Sequence, residues 1–231
     1  MQAEREDFMD YSIQLNAVSK SDKNVKAFAS VTFGNCFKVT NIAVVKNKEG
    51  VPFVAMPSFK SKERTEDNKP VYKDVCNPIT AEFRKELYDD ILALYGEMEQ
   101  SGRAEVSKNA VNPKEPEFRV AVTPFEREGS NIRGLVRICF EDSFIVNNAS
   151  VIKGKEKEFV SMPSYLTNQN GKDGKGQYQD ICFPVTKEFR QKLYDAVLES
   201  YRQEKEKSVG QEYSQNFNRG SRQENRDMPF R

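Results

Sequence analysis

The sequence has no histidine and no tryptophan among its 231 residues, and it carries almost no net charge. Histidine is the side chain that ordinarily changes charge near neutral pH, so its absence removes the usual general base and argues against an enzyme. Lys and Arg total 36 against 35 acidic residues, a net charge of +1. This balance excludes a protein that attracts polyanions with its whole surface, and any nucleic-acid site must be a local patch.

Cysteine is scarce, and its spacing does not suggest a metal site. The four cysteines, Cys36, Cys76, Cys139 and Cys182, form no CxxC pair. Without histidine, this pattern excludes the usual zinc spacings, and we expect no metal, no cofactor and no catalytic residues. Cys76 and Cys182 stand at matching places in the repeat described below. We predict that both are small buried hydrophobes, with a redox role or pairing between domains as the alternative.

Long hydrophobic runs are also missing. No apolar stretch approaches the roughly 18 to 20 residues of a membrane span, and the chain begins with the charged segment Met1-Gln-Ala-Glu-Arg-Glu-Asp. We therefore expect a cytoplasmic protein that does not contact membranes.

The chain contains one pattern twice. Met56-Pro57-Ser58 and the later Asp74-Val-Cys-Asn-Pro-Ile-Thr80 return as Met162-Pro163-Ser164 and Asp180-Ile-Cys-Phe-Pro-Val-Thr186, about 106 residues further on. A period of this length is the size of a small domain rather than of a solenoid repeat. The sequence therefore predicts two tandem copies of one fold.

Each copy is predicted to be α+β, with a small antiparallel sheet of about four strands and a carboxy-terminal helix. Alternating apolar residues predict strands, Gly34-Asn35 predicts a hairpin turn, and Pro57 and Pro163 end the fourth strand. Lys60–Lys69 and Asn168–Gly176 are too polar to pack and are predicted loops. Thr80 and Thr186 are predicted N-caps of helices whose apolar residues recur every three or four positions.

The predicted boundaries follow from these elements. Repeat 1 covers 10–96 and repeat 2 covers 117–202. Residues 97–116 are interpreted as a linker. Residues 203–231 are rich in Gln, Asn, Ser, Gly and Arg and are predicted to be a disordered tail, because they bury too little apolar surface to offset the entropy of ordering.

The stretch Phe53-Val-Ala-Met-Pro-Ser58, a loop, and then Asp74-Val-x-x-Pro-Ile79 resembles the SpoVG family, the stage V sporulation protein G or septation proteins. The similarity covers nearly all of both repeats. It implies a small sheet with a carboxy-terminal helix, a dimer, and binding to DNA or RNA in regulation linked to cell division and sporulation. This chain has Asn77 and Phe183 where the family usually has histidine, and its second copy continues with Tyr165-Leu166 rather than with basic residues.

Tandem copies of a dimeric fold predict that the two repeats pair with each other. The covalent link gives each repeat a high effective concentration around the other, which favours an intramolecular pseudo-dimer. Two independent repeats that each pair with other chains are the alternative, and further homo-oligomerisation is compatible with either arrangement.

The best binding candidate is the first polar loop with the start of its helix. Its cations could meet phosphates, and its aromatic residues could stack on unpaired bases. The predicted cations are Lys60, Lys62, Arg64, Lys69, Lys73, Arg84 and Lys85, and the stacking candidates are Phe59 and Tyr72. A solvated loop of mixed charge is the alternative. We predict a nonenzymatic DNA- or RNA-binding regulator, with a protein-interaction scaffold in cell division or septation as the competing hypothesis.

Overall fold

A computed structural model of the chain describes residues 9–18, 24–170 and 176–224. The first repeat is built on four antiparallel strands in meander order: β1 (Tyr11–Ala17), β2 (Val25–Phe33), β3 (Phe37–Lys46) and β4 (Pro52–Ala55). Alternate residues of β2, from Ala27 to Phe33, are buried, as expected for strands with one face on a core. The turn from β2 to β3 begins at Gly34, in agreement with the sequence prediction.

The second repeat has the same plan. Strands β9 (Phe118–Pro124), β10 (Ile132–Phe140), β11 (Phe144–Lys153) and β12 (Glu158–Ser161) form its antiparallel sheet. Asn41 in β3 and Asn148 in β11 both have a positive φ, near 62° and 63°, beside matching register shifts, so even the bulges are repeated. The predicted fold class, two tandem α+β units, is confirmed.

One helix lies against each sheet. Helix α1 (Ala81–Ser101) begins where the Thr80 hydroxyl accepts a hydrogen bond from the backbone N–H of Phe83 at 3.3 Å, and α2 (Lys187–Glu224) begins the same way, with Thr186 and Phe189 at 3.3 Å. Both predicted N-caps are confirmed. The apolar stripes are buried as predicted, with Phe83, Leu87, Ile91 and Tyr95 in α1 and Phe189, Leu193, Val197 and Tyr201 in α2.

Both segments predicted to be loops contain β-strand residues in their described parts, so this prediction was wrong there, and residues 171–175 lie outside the described residues. Strands β5 (Ser58–Arg64) and β6 (Pro70–Asp74) form one hairpin, and β13 (Ser164–Asn170) and β14 (Gly176–Asp180) form the other. Nearly every residue of the first hairpin is exposed. A strand that is solvated on both faces has no apolar alternation, which is why the sequence pattern did not indicate it.

The segment that follows each hairpin crosses to the other repeat. Strand β7 (Cys76–Pro78) pairs antiparallel with β11 of repeat 2, and β15 (Cys182–Pro184) pairs with β3 of repeat 1. The side chains between the sheets form one continuous core, in which Phe33 and Phe144 rings lie 4.9 Å apart and Phe37 and Phe140 rings 4.6 Å apart. The repeats therefore share both backbone pairing and a hydrophobic core.

The predicted linker is partly structured. Helix α1 continues to Ser101 and ends at Gly102, whose φ of 65° caps it in the left-handed conformation. Strand β8 (Glu105–Lys108) then pairs with β1 and buries Val106. At the other end, α2 extends to Glu224 where the sequence predicted a disordered tail from 203, and residues 225–231 lie outside the described residues.

Candidate nucleic-acid interface

The β5–β6 hairpin projects from the body of repeat 1 on a fixed base. It leaves the sheet after the buried Met56-Pro57 pair, and the backbone N–H of Val75 donates to the Pro57 carbonyl at 2.8 Å. Val75 is itself buried, and its carbonyl accepts from the N–H of Asn147 in repeat 2 at 2.7 Å. The hairpin base is thus held by both repeats while its strands remain in solvent.

The predicted cations of β5 stand at alternate positions of one strand. They are Lys60, Lys62 and Arg64, and Tyr72 lies directly opposite Lys60 on β6. The register shifts between Lys60 and Arg64. All four side chains are exposed, Tyr72 to 62%. We call these four residues the cationic face.

The remaining loop cations are neutralised within the hairpin. Phe59 lies opposite Lys73, and the Lys73 ammonium contacts the Glu63 carboxylate at 2.5 Å. Lys69 pairs with Asp67 at 3.3 Å in the turn. By contrast, Lys60, Lys62 and Arg64 have no ion pair with any residue that the structure describes.

The two predicted cations on α1 have local partners. The Arg84 guanidinium donates to the Pro78 carbonyl at 2.8 Å, and Lys85 pairs with Asp89 one helical turn later at 2.6 Å. Arg190 repeats the first contact in repeat 2, donating to Pro184 at 3.0 Å. Arg84 therefore links the start of α1 to β7, the strand that pairs with repeat 2.

A carboxyl group lies at the base of each hairpin, at Asp74 and Asp180. Partial burial raises the pKa of both above the usual aspartate range, and the nearby Arg84 or Arg190 charge opposes that rise. Burial likewise raises the pKa of Tyr88 and Tyr194, the helix tyrosines beside these pairs. The same arrangement of aspartate, arginine and tyrosine is present in both repeats.

The β13–β14 hairpin has the same pairing with different side chains. The positions of Lys60, Lys62 and Arg64 are occupied by Leu166, Asn168 and Asn170, and the position of Lys73 by Gln179. Leu166 and Tyr178 form an exposed cross-strand pair, 56% and 69% accessible, and the Tyr165 hydroxyl donates to Gln179 at 2.9 Å. The described strands of this hairpin therefore have no counterpart of the cationic face.

Neither a metal-binding cluster nor a membrane-spanning helix is found among the described residues. The described residues include no group of three or more Cys, Asp or Glu side chains that could hold a metal ion. Cys76 and Cys182 are fully buried free thiols, and the neighbouring Cys76 together with burial raises the pKa of the Cys182 thiol. Within the described part of the chain, no helix combines the length and apolarity needed to cross a bilayer.

The duplicated fold with its exchanged strands can be compared with known proteins. The sequence model of the SpoVG family matches residues 9–97 and again residues 117–203. The chain belongs to the SpoVG family. The two matches coincide with the two sheet-and-helix units, so each unit is one SpoVG domain.

Individual relatives align with a stretch of this chain about as long as one repeat. The chain is 38% identical over 72 residues to "Putative septation protein SpoVG" of Phytoplasma australiense, covering 31% of this chain and 69% of the relative. For the proteins of the same name from Clostridium beijerinckii and Clostridioides difficile, identity is 33% over 93 residues and 38% over 82 residues. These matches cover 40% and 36% of this chain but 90% and 82% of the relatives. Each match spans most of a relative yet less than half of this chain, which contains two SpoVG domains.

Proposed function

We propose that this SpoVG-family chain is a nonenzymatic nucleic-acid-binding regulator, acting on DNA or RNA in the control of septation or sporulation. The observation that carries the proposal is the cationic face, where Lys60, Lys62 and Arg64 form no ion pair with a described residue and the exposed Tyr72 lies opposite Lys60. The septation role is supported by the name that the relatives carry.

The geometry of the face suits a nucleic-acid backbone. Lys60, Lys62 and Arg64 are exposed side chains of one strand, so the phosphates of a single nucleic-acid backbone could contact them together. Phosphate contacts of this kind supply affinity without base specificity, while an aromatic ring such as Tyr72 can stack on a base.

An electrophoretic mobility shift with the full chain tests the proposal. The informative variant is Lys60→Leu, Lys62→Asn, Arg64→Asn, which installs the residues that repeat 2 uses at the same hairpin positions. We expect the variant to lose most of its affinity for single-stranded and duplex probes while keeping its fold. Equal binding by the variant and the wild type, or no binding by either, would contradict the proposal.

The second candidate function is a protein-interaction scaffold in septation. It is favoured by Leu166 and Tyr178, an exposed apolar pair on the hairpin of repeat 2. The double variant Leu166→Asn, Tyr178→Gln separates the two functions. Under the nucleic-acid proposal it leaves oligonucleotide affinity unchanged, whereas a scaffold would lose protein capture and would be unaffected by changes in the cationic face.

A further inference from the structure

A concavity in repeat 2 lies between the β9–β10 loop, the β11–β12 loop and helix α2. It has a volume of about 760 Å³ and is open to solvent. Six cationic and four acidic side chains line it: Arg127, Arg133, Lys153, Lys155, Lys157, Lys205, Glu126, Glu128, Glu156 and Glu158. We call it the lysine cleft.

At the corresponding place in repeat 1, an ion pair joins the end of β3 to helix α1. Lys46, the last residue of β3, contacts the Glu99 carboxylate of α1 at 2.7 Å, and its ammonium lies 5.4 Å from the centre of the Tyr95 ring. The Tyr95 hydroxyl also donates to Glu99 at 2.7 Å. These contacts raise the pKa of Lys46 and lower that of Glu99, as expected for a charge pair.

In repeat 2 the acid is replaced by a base. Lys153 ends β11 as Lys46 ends β3, and each backbone N–H donates to an asparagine carbonyl, Asn131 at 2.8 Å and Asn24 at 2.9 Å. Tyr201 is the buried counterpart of Tyr95. Four residues further along the helix, where α1 has Glu99, α2 has Lys205.

The result is that two lysines, Lys153 and Lys205, line one cleft. The Lys205 ammonium lies 5.7 Å from the centre of the Tyr201 ring, the place that Lys46 takes beside Tyr95. No cation of the lysine cleft forms an ion pair with a described residue, although four glutamates share its lining. Like charges gathered this way repel, and a bound anion would relieve the repulsion.

From this juxtaposition we infer that the lysine cleft is a binding site for a phosphate-bearing anion, in which the ligand takes the bridging place that Glu99 fills in repeat 1. A multiply charged phosphate group suits a cleft lined by several cations, Lys153 and Lys205 among them, better than a single carboxylate does. The volume accommodates a group larger than one phosphate, such as a polyphosphate chain or a short stretch of nucleic-acid backbone. The site is separate from the cationic face, so it does not depend on the proposed function.

The decisive variant is Lys205→Glu. It places a glutamate in α2 at the position of Glu99, the residue that pairs with Lys46 in repeat 1. The matched control is Lys207→Glu, which makes the same change of charge two residues away, at a lysine that pairs with Glu204 at 2.7 Å and does not line the cleft. Circular dichroism checks the fold of both. The probe is inorganic triphosphate, titrated calorimetrically into the full chain at constant ionic strength.

We expect wild type and Lys207→Glu to bind triphosphate and to unfold at a higher temperature in its presence. Lys205→Glu should bind at least about tenfold more weakly, because it loses a charge-assisted contact and introduces a like charge. A single-stranded oligonucleotide, titrated into the Lys60→Leu, Lys62→Asn, Arg64→Asn variant with and without Lys205→Glu, distinguishes a backbone phosphate from a free one. Absence of binding by both probes, or equal binding by Lys205→Glu and wild type, overturns the inference.

Discussion

Replacing the three free cations of the β5–β6 hairpin with the residues of the β13–β14 hairpin should reduce nucleic-acid affinity and its salt dependence together. The perturbation is Lys60→Leu, Lys62→Asn, Arg64→Asn. Because repeat 2 forms the same ribbon with Leu166, Asn168 and Asn170, the hairpin is expected to persist. The change removes three positive charges that have no internal ion pair with described residues.

The magnitude follows from counterion release. The logarithm of the binding constant falls with the logarithm of salt concentration by about 0.7 per phosphate contact for single strands and about 0.9 for duplex DNA. Losing three contacts should therefore reduce the slope by about 2 to 3. At 0.1 M salt each contact contributes a factor of about 5 to 8 on the same scale, so the affinity should fall on the order of a hundredfold.

Fluorescence anisotropy with a labelled oligonucleotide, measured from 50 to 200 mM salt, gives both quantities. The reciprocal variant, Leu166→Lys, Asn168→Lys, Asn170→Arg, places the cations on the second hairpin and should strengthen binding and steepen the slope. An unchanged slope in the first variant would refute the assignment of phosphate contacts to this face, even if the affinity decreased.

Four further predictions concern the fold that positions the site. Phe140→Ala removes a fully buried ring whose centre lies 4.6 Å from that of Phe37 and 6.4 Å from that of Phe189, so it should lower the free energy of unfolding by about 3 to 5 kcal/mol, and both repeats should unfold in one transition in urea. Thr80→Ala removes the N-cap of α1 and should cost about 1 kcal/mol in the same assay, while Thr80→Ser should restore most of it. Gly34→Ala should lower the free energy of unfolding by more than the roughly 1 to 2 kcal/mol that a left-handed backbone costs a non-glycine residue, because the new Cβ would clash with the Lys114 carbonyl oxygen. Gly50→Ala is the control, since Gly50 also has a positive φ but open space around it. Equal losses of stability in the two variants would contradict the clash. Asp74→Asn tests the raised pKa of the Asp74 carboxyl. Because the folded state binds this proton more tightly than the unfolded state, wild-type stability should rise as pH falls through the acidic range above the ordinary aspartate pKa. Urea midpoints of the variant should lack this part of the pH dependence.

Much of the fold could be predicted because its signals are local. The alternation in β2 and the stripe from Phe83 to Tyr95 each report one buried face, and Thr80 and Thr186 cap helices through bonds to residues three positions away. The hairpins were missed because solvent covers both sides of their strands. Strand β8 was missed because Glu105–Lys108 buries one side chain, Val106, which is too little for a pattern.

The sequence predicted only part of the candidate site. Composition and spacing indicated seven cations, but not which of them had partners. Lys73 is neutralised by Glu63 ten residues away, and Arg84 is bound to a backbone carbonyl, so the unpaired set is smaller than the predicted one. The lysine cleft depends on residues from two loops and a helix, and no local pattern brings Lys153 and Lys205 together.

The sequence by itself determined the duplication, the α+β class and the positions of the buried stripes, since these depend on residues close together along the chain. Tertiary structure alone decided that β7 and β15 cross between repeats, and which charges neutralise each other. Both outcomes depend on which distant residues meet once the shared core has formed. Pairing Cys76 with Val146 and Cys182 with Val39 is a consequence of that packing.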